Sequence, residues 1–98
     1  IYLADESNDN QITNNVFKVF SGSPIRVRNA SHNTVVENNS FSTPANYNVN
    51  QGAVSQWFCD PLAKIPCKNK AESPSDNIIM RNNKIDNKLE LYRNLPER

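Results

Sequence analysis

Asn33-Thr34-Val35-Val36-Glu37-Asn38-Asn39-Ser40-Phe41 is the stretch that decides how this chain folds. It is short and β-branched, and an Asn pair stands just before its closing aromatic. The pattern recurs upstream in Asn10-Gln11-Ile12-Thr13-Asn14-Asn15-Val16-Phe17 and downstream in Asn77-Ile78-Ile79-Met80-Arg81-Asn82-Asn83-Lys84-Ile85. Each copy places an Asn-Asn pair two residues before a large apolar residue. The offset from Phe17 to Phe41 is 24; from Phe41 to Ile85 it is 44, close to two periods or to one period with an insertion.

A second series interleaves with the first: Ile1-Tyr2-Leu3-Ala4, Ile25-Arg26-Val27-Arg28, Ala53 to Phe58, and Leu89-Glu90-Leu91-Tyr92. The offset from Leu3 to Val27 is again 24, from Val27 to Val54 it is 27, and from Val54 to Leu91 it is 37 across a long insertion. Equal period and strict alternation are harder to obtain by chance than one motif, and internal repeats override local readings. Short strands at a fixed period, separated by turns, predict an all-β solenoid. A leucine-rich repeat has a similar period but needs leucines at fixed places, and a β-sandwich does not demand the same Asn chemistry in every turn. In a solenoid one turn recurs at one height of each coil. There an Asn adopts the left-handed conformation and hydrogen-bonds to its copies above and below. Either Asn14, Asn38 and Asn82 or Asn15, Asn39 and Asn83 form such a ladder, with Phe17, Phe41 and Ile85 stacked inside.

Composition narrows the class. The 98 residues amount to one domain, spanning 1–98, with 37% hydrophobic and 21% charged residues and a net charge of +1. No basic bias points to nucleic acid, and no apolar run approaches the ~18–20 residues of a membrane span. Asn is in large excess while Gly stands only at Gly22 and Gly52, so Asn takes over the turn work that Gly usually does. The chain opens at Ile1 without a signal peptide and reads as a mature product or a piece of a longer protein.

Several residues are candidates for chemistry. Asp5, Glu6 and Asp9 put three carboxylates close together in one turn, the oxygen-rich type of cluster that takes Ca²⁺; a solvated acidic turn reads the same way. Ile25 and Val27 face a core while Arg26 and Arg28 face out. His32, the single histidine, sits in a turn, as a capping residue or a proton-transfer group. Asn29-Ala30-Ser31 and Asn38-Asn39-Ser40 fit the N-glycosylation sequon, which is cheap to match in an Asn-rich chain. Residues 59–75 break the rhythm with Cys59, Pro61, Pro66, Cys67 and Pro74 and with Lys64, Lys68 and Lys70, and read as a loop inserted into one repeat. In an exported chain a Cys59–Cys67 disulfide ties that loop at its base; no second Cys pair or His cluster supports a metal site.

The copies DNQITNNVF, HNTVVENNSF and DNIIMRNNKI resemble coils of right-handed parallel β-helix proteins, the pectate-lyase-like group. In that group each coil has three short strands, with an Asn at the tight bend between the second and third. The resemblance covers most of residues 1–95, three to four coils, and implies a fold rather than one activity. IRVRNASHNTVVENNSF (residues 25–41) is also similar to segments of alginate-lyase and chondroitinase-type β-helix enzymes, which use basic residues as acid and base with Ca²⁺ on the uronate. The chain departs from the group in its few glycines and in the Cys-bounded insertion. The resemblance and the cysteine pair imply a secreted, periplasmic or cell-surface protein.

On this reading Tyr2, Arg26, Arg28, Ser55, Trp57, Glu90 and Tyr92 line one outer face. The phase at 53–58 stays open: Val54, Gln56 and Phe58 inward bury an amide, whereas Ala53, Ser55 and Trp57 inward hide the Trp. Aromatic rings pack on sugar faces and arginine pairs bidentately with carboxylates, so the face suits an acidic polysaccharide. A lyase or epimerase also needs a neutralised uronate carboxylate and proton transfer. Arg28 fits the first role; Arg26, Tyr92 or His32 fits the second; Trp57, Tyr2 and Tyr92 bind substrate. The competing expectations are a non-catalytic glycan-binding β-helix and a structural β-helix of a phage spike or surface adhesin. In all three, exposed sheet edges at the coil ends call for a partner, the remainder of a longer polypeptide or another chain.

Overall fold

The computed structural model describes residues 1–47, 51–60, 65–67, 70–86 and 88–96, and none of these is helical. Among them ten strands form: β1 (Tyr2–Leu3), β2 (Gln11–Thr13), β3 (Val16–Lys18), β4 (Ile25–Arg28), β5 (Thr34–Glu37), β6 (Ser40–Ser42), β7 (Val54–Phe58), β8 (Ile78–Arg81), β9 (Lys84–Ile85) and β10 (Tyr92–Pro96). They make three sheets, ordered β1-β4-β7-β10, β2-β5-β8 and β3-β6-β9. All strand pairs within the sheets are parallel. The chain therefore visits the first, second and third sheet in turn and then returns to the first, an order compatible with a β-helix.

Side-chain alternation explains why these segments are strands. In β4, Ile25 and Val27 are fully buried and Arg26 and Arg28 half-buried; in β5, Thr34 and Val36 are buried and Val35 and Glu37 half-buried. Ile25, Val27 and Val36, with Ile12, Phe41, Val54 and Leu89, form one apolar cluster between the sheets. Phe17 lies over Phe41 with ring centroids 5.0 Å apart and planes 6° apart, close to the ~4.8 Å separation of neighbouring strands. Ile85 follows in register beneath Phe41.

The two members of each Asn pair do different work. Asn14, Asn38 and Asn82 hold φ of 59°, 57° and 53° and turn the backbone between the second and third sheets. Asn tolerates this region better than other non-Gly residues. Asn15, Asn39 and Asn83 form the ladder. The Asn15 backbone N–H and side-chain amide both donate to Asn39 Oδ1, at 2.9 and 3.1 Å. Asn39 repeats this toward Asn83 Oδ1, at 3.0 and 3.2 Å, and its amide also donates to the Ile12 carbonyl.

Further ladders run through the turn between the first and second sheets, and their residues recur at the same offsets of 24 and 44. Asn29 donates to Asp5 and accepts from the Ser73 N–H. Asn33 donates to Asp9, and Asn77 to Asn33. Ser31 accepts from the Ser7 N–H, and Ser75 from the Ser31 N–H. Asp5, Asp9, Asn29, Asn33 and Asn77 all carry positive φ, so these turns too run on Asn and Asp rather than glycine.

Two expectations about the first sheet need correction. Val54 pairs with Ile25, not with Val27. The last strand is Tyr92–Pro96 rather than 89–92, so Tyr92 stands in register with Val54 and Pro96 with Phe58. The first is a two-residue slip that leaves Val54 and Gln56 pointing inward, since Ile25 and Val27 share a face; the second is a one-residue slip that turns Tyr92 inward. The inward amide is tolerated because both its ends are satisfied, Nε2 donating to the Tyr92 hydroxyl at 2.8 Å and Oε1 accepting the Ser75 N–H. Leu89 is buried in the core, and the Glu90 and Leu91 carbonyls accept the Ala53 and Val54 N–H groups, which delivers the chain to β10. Gly52, at φ 88°, lies where a Cβ would stand 3.1 Å from the Arg93 backbone nitrogen.

Candidate functional site

The outer face of the first sheet gathers the charged and aromatic candidates. One row across the strands is Tyr2, Arg26, Ser55 and Arg93; the next is Arg28, Trp57 and Leu95. Trp57 points outward because Val54 and Gln56 point inward. The Arg26 and Arg28 guanidinium carbons lie 5.5 and 5.9 Å from the centre of its ring, within cation–π range. The indole N–H donates to Ser55 Oγ at 3.0 Å, which fixes the ring's orientation. Arg26 Nη2 donates to Gln51 Oε1 at 3.4 Å, and Tyr2 is 57% exposed at the edge of the face.

Arg28 is engaged with the inserted segment. Its Nε donates to Glu72 Oε1 at 2.8 Å and its Nη2 to Glu72 Oε2, a bidentate pair. This bond holds the Arg28 guanidinium above its ordinary pKa; burial opposes the shift, and the Tyr2 side chain adds a smaller favourable interaction. Glu72 itself is placed by backbone. The Cys59 N–H donates to its carbonyl at 3.0 Å, and the Ala30 N–H to the Ser73 carbonyl at 3.1 Å. The Cys59–Cys67 disulfide is present, with Cα atoms 5.2 Å apart, and ties the start of the insertion. It fits an oxidising environment. Of the Lys residues noted in this insertion, Lys64 and Lys68 lie outside the described residues.

The face thus unites Tyr2, Arg26, Arg28 and Trp57. His32 and Tyr92 are not part of it. Tyr92 belongs to the inward phase, its hydroxyl satisfying Gln56, and Glu90 precedes the strand. His32 belongs to the turn ladder: its backbone N–H donates to Asn8 Oδ1 and its ring Nδ1 accepts the Asp76 N–H at 2.9 Å, which places the proton of the neutral ring on Nε2. Two of the three carboxylates of the acidic turn are likewise spent on ladders. Asp5 accepts from Asn29, the main cause of its lowered pKa, with Lys70 3.5 Å away as the next; Asp9 accepts from Asn33. Among the described residues no three His, Cys, Asp or Glu side chains converge to hold a metal ion. Of the two sequons, Asn29 has its amide engaged by Asp5, whereas Asn38 is exposed at a bend.

Sequence reasoning missed Glu72 and Arg93. Glu72 did have a signal, as the one acidic residue between Asp60 and Asp76 in a Lys-rich stretch. Arg93 was hidden by the shifted phase of the last strand. No family model matches the chain, and neither the curated proteins nor the solved structures contain a match.

Proposed function

We propose that this chain is a segment of a right-handed parallel β-helix whose first-sheet outer face binds an acidic polysaccharide outside the cytoplasm, on a secreted, periplasmic or cell-surface protein. The observation that carries the reading is Trp57, held outward by Ser55 and flanked by Arg26 and Arg28. A ring supplies the apolar platform for a sugar face, and a guanidinium supplies a planar fork for a uronate carboxylate. Parallel strands repeat such groups along the stack, as a polymer repeats its own. The handedness rests on the rule that parallel crossovers are right-handed. The edges of β1 to β3 at one end and of β8 to β10 at the other are surfaces on which the remaining polypeptide or another chain stacks.

Binding fits this face better than catalysis. β-Elimination or epimerisation of a uronate needs proton transfer beside the neutralised carboxylate. Of the residues expected in that role, His32 and Tyr92 lie off the face, and Arg26, which stays on it, is a guanidinium that gives up its proton poorly. The test is retardation of the protein in gels cast with alginate, pectate or chondroitin. Trp57→Ala and Arg26→Ala are each expected to weaken retardation about tenfold, the loss of one stacking or one charge-assisted contact. Absorbance from new unsaturated ends reads out the lyase version. No retardation of the protein by any of the three polymers refutes the binding reading. It leaves the structural one, a β-helix segment that spaces other parts, which the engagement of Arg28 by Glu72 favours.

A further inference from the structure

We infer that Glu72 is a built-in competitor for the Arg28 subsite: its carboxylate occupies the position that a uronate carboxylate of the polysaccharide takes on binding. The inference rests on the polysaccharide reading above and adds what limits and selects the ligand there.

Glu72 presents both oxygens to Nε and Nη2 of Arg28, the in-plane fork that a sugar carboxylate would use. The same guanidinium lies 5.9 Å from the Trp57 ring centre, and the Tyr2 side chain approaches it from the neighbouring strand. A carboxylate at this place therefore has an apolar platform and a hydroxyl beside it, which is the surrounding a uronate residue needs and a glutamate side chain does not.

The placement of Glu72 allows its side chain to leave. Its backbone is held at the Cys59 N–H, and the adjoining Ser73 by Asn29 and Ala30, none of which involves the carboxylate. Glu72 also lines an open hollow of about 180 Å³ with Cys59, Asp60, Ala71, Ser73 and Pro74. A rotation about its side-chain bonds carries the carboxylate toward that hollow without moving the segment. Asp60 lines the same hollow, so the displaced carboxylate meets a like charge there. The pair with Arg28 is thus preferred until a ligand carboxylate replaces Glu72. A neutral glycan has nothing to exchange for the lost pair, so the device selects for carboxylated polymers. Glu72 acts here as a specificity-determining residue; the ligand contacts are those of Arg28, Trp57 and Tyr2.

The test compares affinity electrophoresis of the whole protein on polygalacturonate for the native chain, Glu72→Gln, Glu72→Gln combined with Arg28→Lys, and Asp76→Asn. Asp76→Asn makes the same change in net charge at an exposed turn carboxylate. Glu72→Gln is expected to bind about two- to fivefold tighter, the upper range for removing one partly exposed competing ion pair. Arg28→Lys, which keeps the charge and loses the fork, is expected to abolish the gain, and Asp76→Asn to give less than a third of it. Glu72→Ala, scored with circular dichroism, must show the same gain. If native protein binds and Glu72→Gln binds equally, or if Asp76→Asn gains as much, the competitor is refuted while polysaccharide binding stands. If native protein and Glu72→Gln are both blank, both readings fall. If neither position-72 variant folds, the carboxylate is indispensable to the structure and no ligand displaces it, which also overturns the inference.

Discussion

Replacing Asn39 by Ala tests whether the ladder, rather than the bend, holds the turns together. Asn39 is 1% exposed and sits in the middle of the stack. Its side chain takes part in four hydrogen bonds: from the Asn15 N–H, from the Asn15 amide, to the Ile12 carbonyl and to Asn83 Oδ1. A neutral hydrogen bond contributes about 1 kcal/mol net, and a buried partner left without one costs more. Water reaches the exposed Asn15 and relieves part of the loss, so the expected cost is about 3 kcal/mol. That is a large share of the roughly 5–15 kcal/mol by which domains of this size are stable. It lowers the melting temperature by about 15 °C, at roughly 4–8 °C per kcal/mol. Asn38 is the internal control. It is exposed and supplies φ of 57°, so Asn38→Ala is expected to cost about 1 kcal/mol for left-handed strain, and Asn38→Gly close to nothing. Urea midpoints followed by far-ultraviolet circular dichroism give all three values. If Asn39→Ala costs no more than Asn38→Ala, the division of labour within the pair is wrong.

Two further predictions concern stability. Thr34 is fully buried and its hydroxyl has no hydrogen-bond partner, so Thr34→Val, which keeps the shape, should raise stability by about 1 kcal/mol; a loss in the urea midpoint would show that the hydroxyl is satisfied. The Asp86 carboxyl is held below its ordinary value by the Thr43 hydroxyl and then the Thr43 N–H, and Asp5 by Asn29 and then Lys70. A depressed folded-state value means that this stability is fully present above the ordinary 3.8 and is lost as pH falls through the depressed values. Urea midpoints should therefore change little on this account from pH 7 to about 4.5 and fall below about pH 4, with a shallower fall in Thr43→Val. An identical acid limb in that variant would contradict the assignment to Asp86.

How much of this fold was legible depends on where the repeat is chemically strict. The Asn pair is strict, because the first position needs a left-handed backbone and the second needs a donor and an acceptor on one short side chain. No residue but Asn meets the second demand within reach of the next copy. The turn between the first and second sheets is lax. Asp5, Asn29 and Ser73 share one place, and Asp9, Asn33 and Asn77 another, because a carboxylate can end a ladder that amides continue. The offset of 24 was there to be found, but similarity of letters was not. The first sheet slipped where the pattern was carried by hydrophobicity alone. Hydrophobicity aligns Val54 with Val27, although its partner is Ile25. The inward Gln56 that marks the true phase looks polar until Tyr92 and Ser75 are beside it.

The site divides along the same line. Tyr2, Arg26, Arg28 and Trp57 share a face because of period and alternation, so sequence alone brought them together. Which of them is engaged by the protein itself is decided by Glu72, one circuit on from Arg28, as Ser73 is from Asn29. Glu72 stands at an offset of 44 from Arg28, in the segment that lengthens the circuit. That circuit has an offset of 24 from Ile12 on β2 to Val36 on β5, and of 44 from Val36 to Met80 on β8. A stacked fold makes neighbours of residues one circuit apart, and Glu72 is such a neighbour of Arg28 although it lies in the inserted segment. The segment is held there by the Cys59 N–H donating to the Glu72 carbonyl and by the Asn29 side-chain oxygen accepting the Ser73 N–H. What the sequence does carry is composition. The insertion, residues 59–75, carries two carboxylates, Asp60 and Glu72, each of which must find a cation or stay in water, and alternation on the first sheet turns Arg26 and Arg28 outward to meet one. The charge pairing between the insertion and the stack, rather than alternation, therefore decides which cation of this face the protein itself engages.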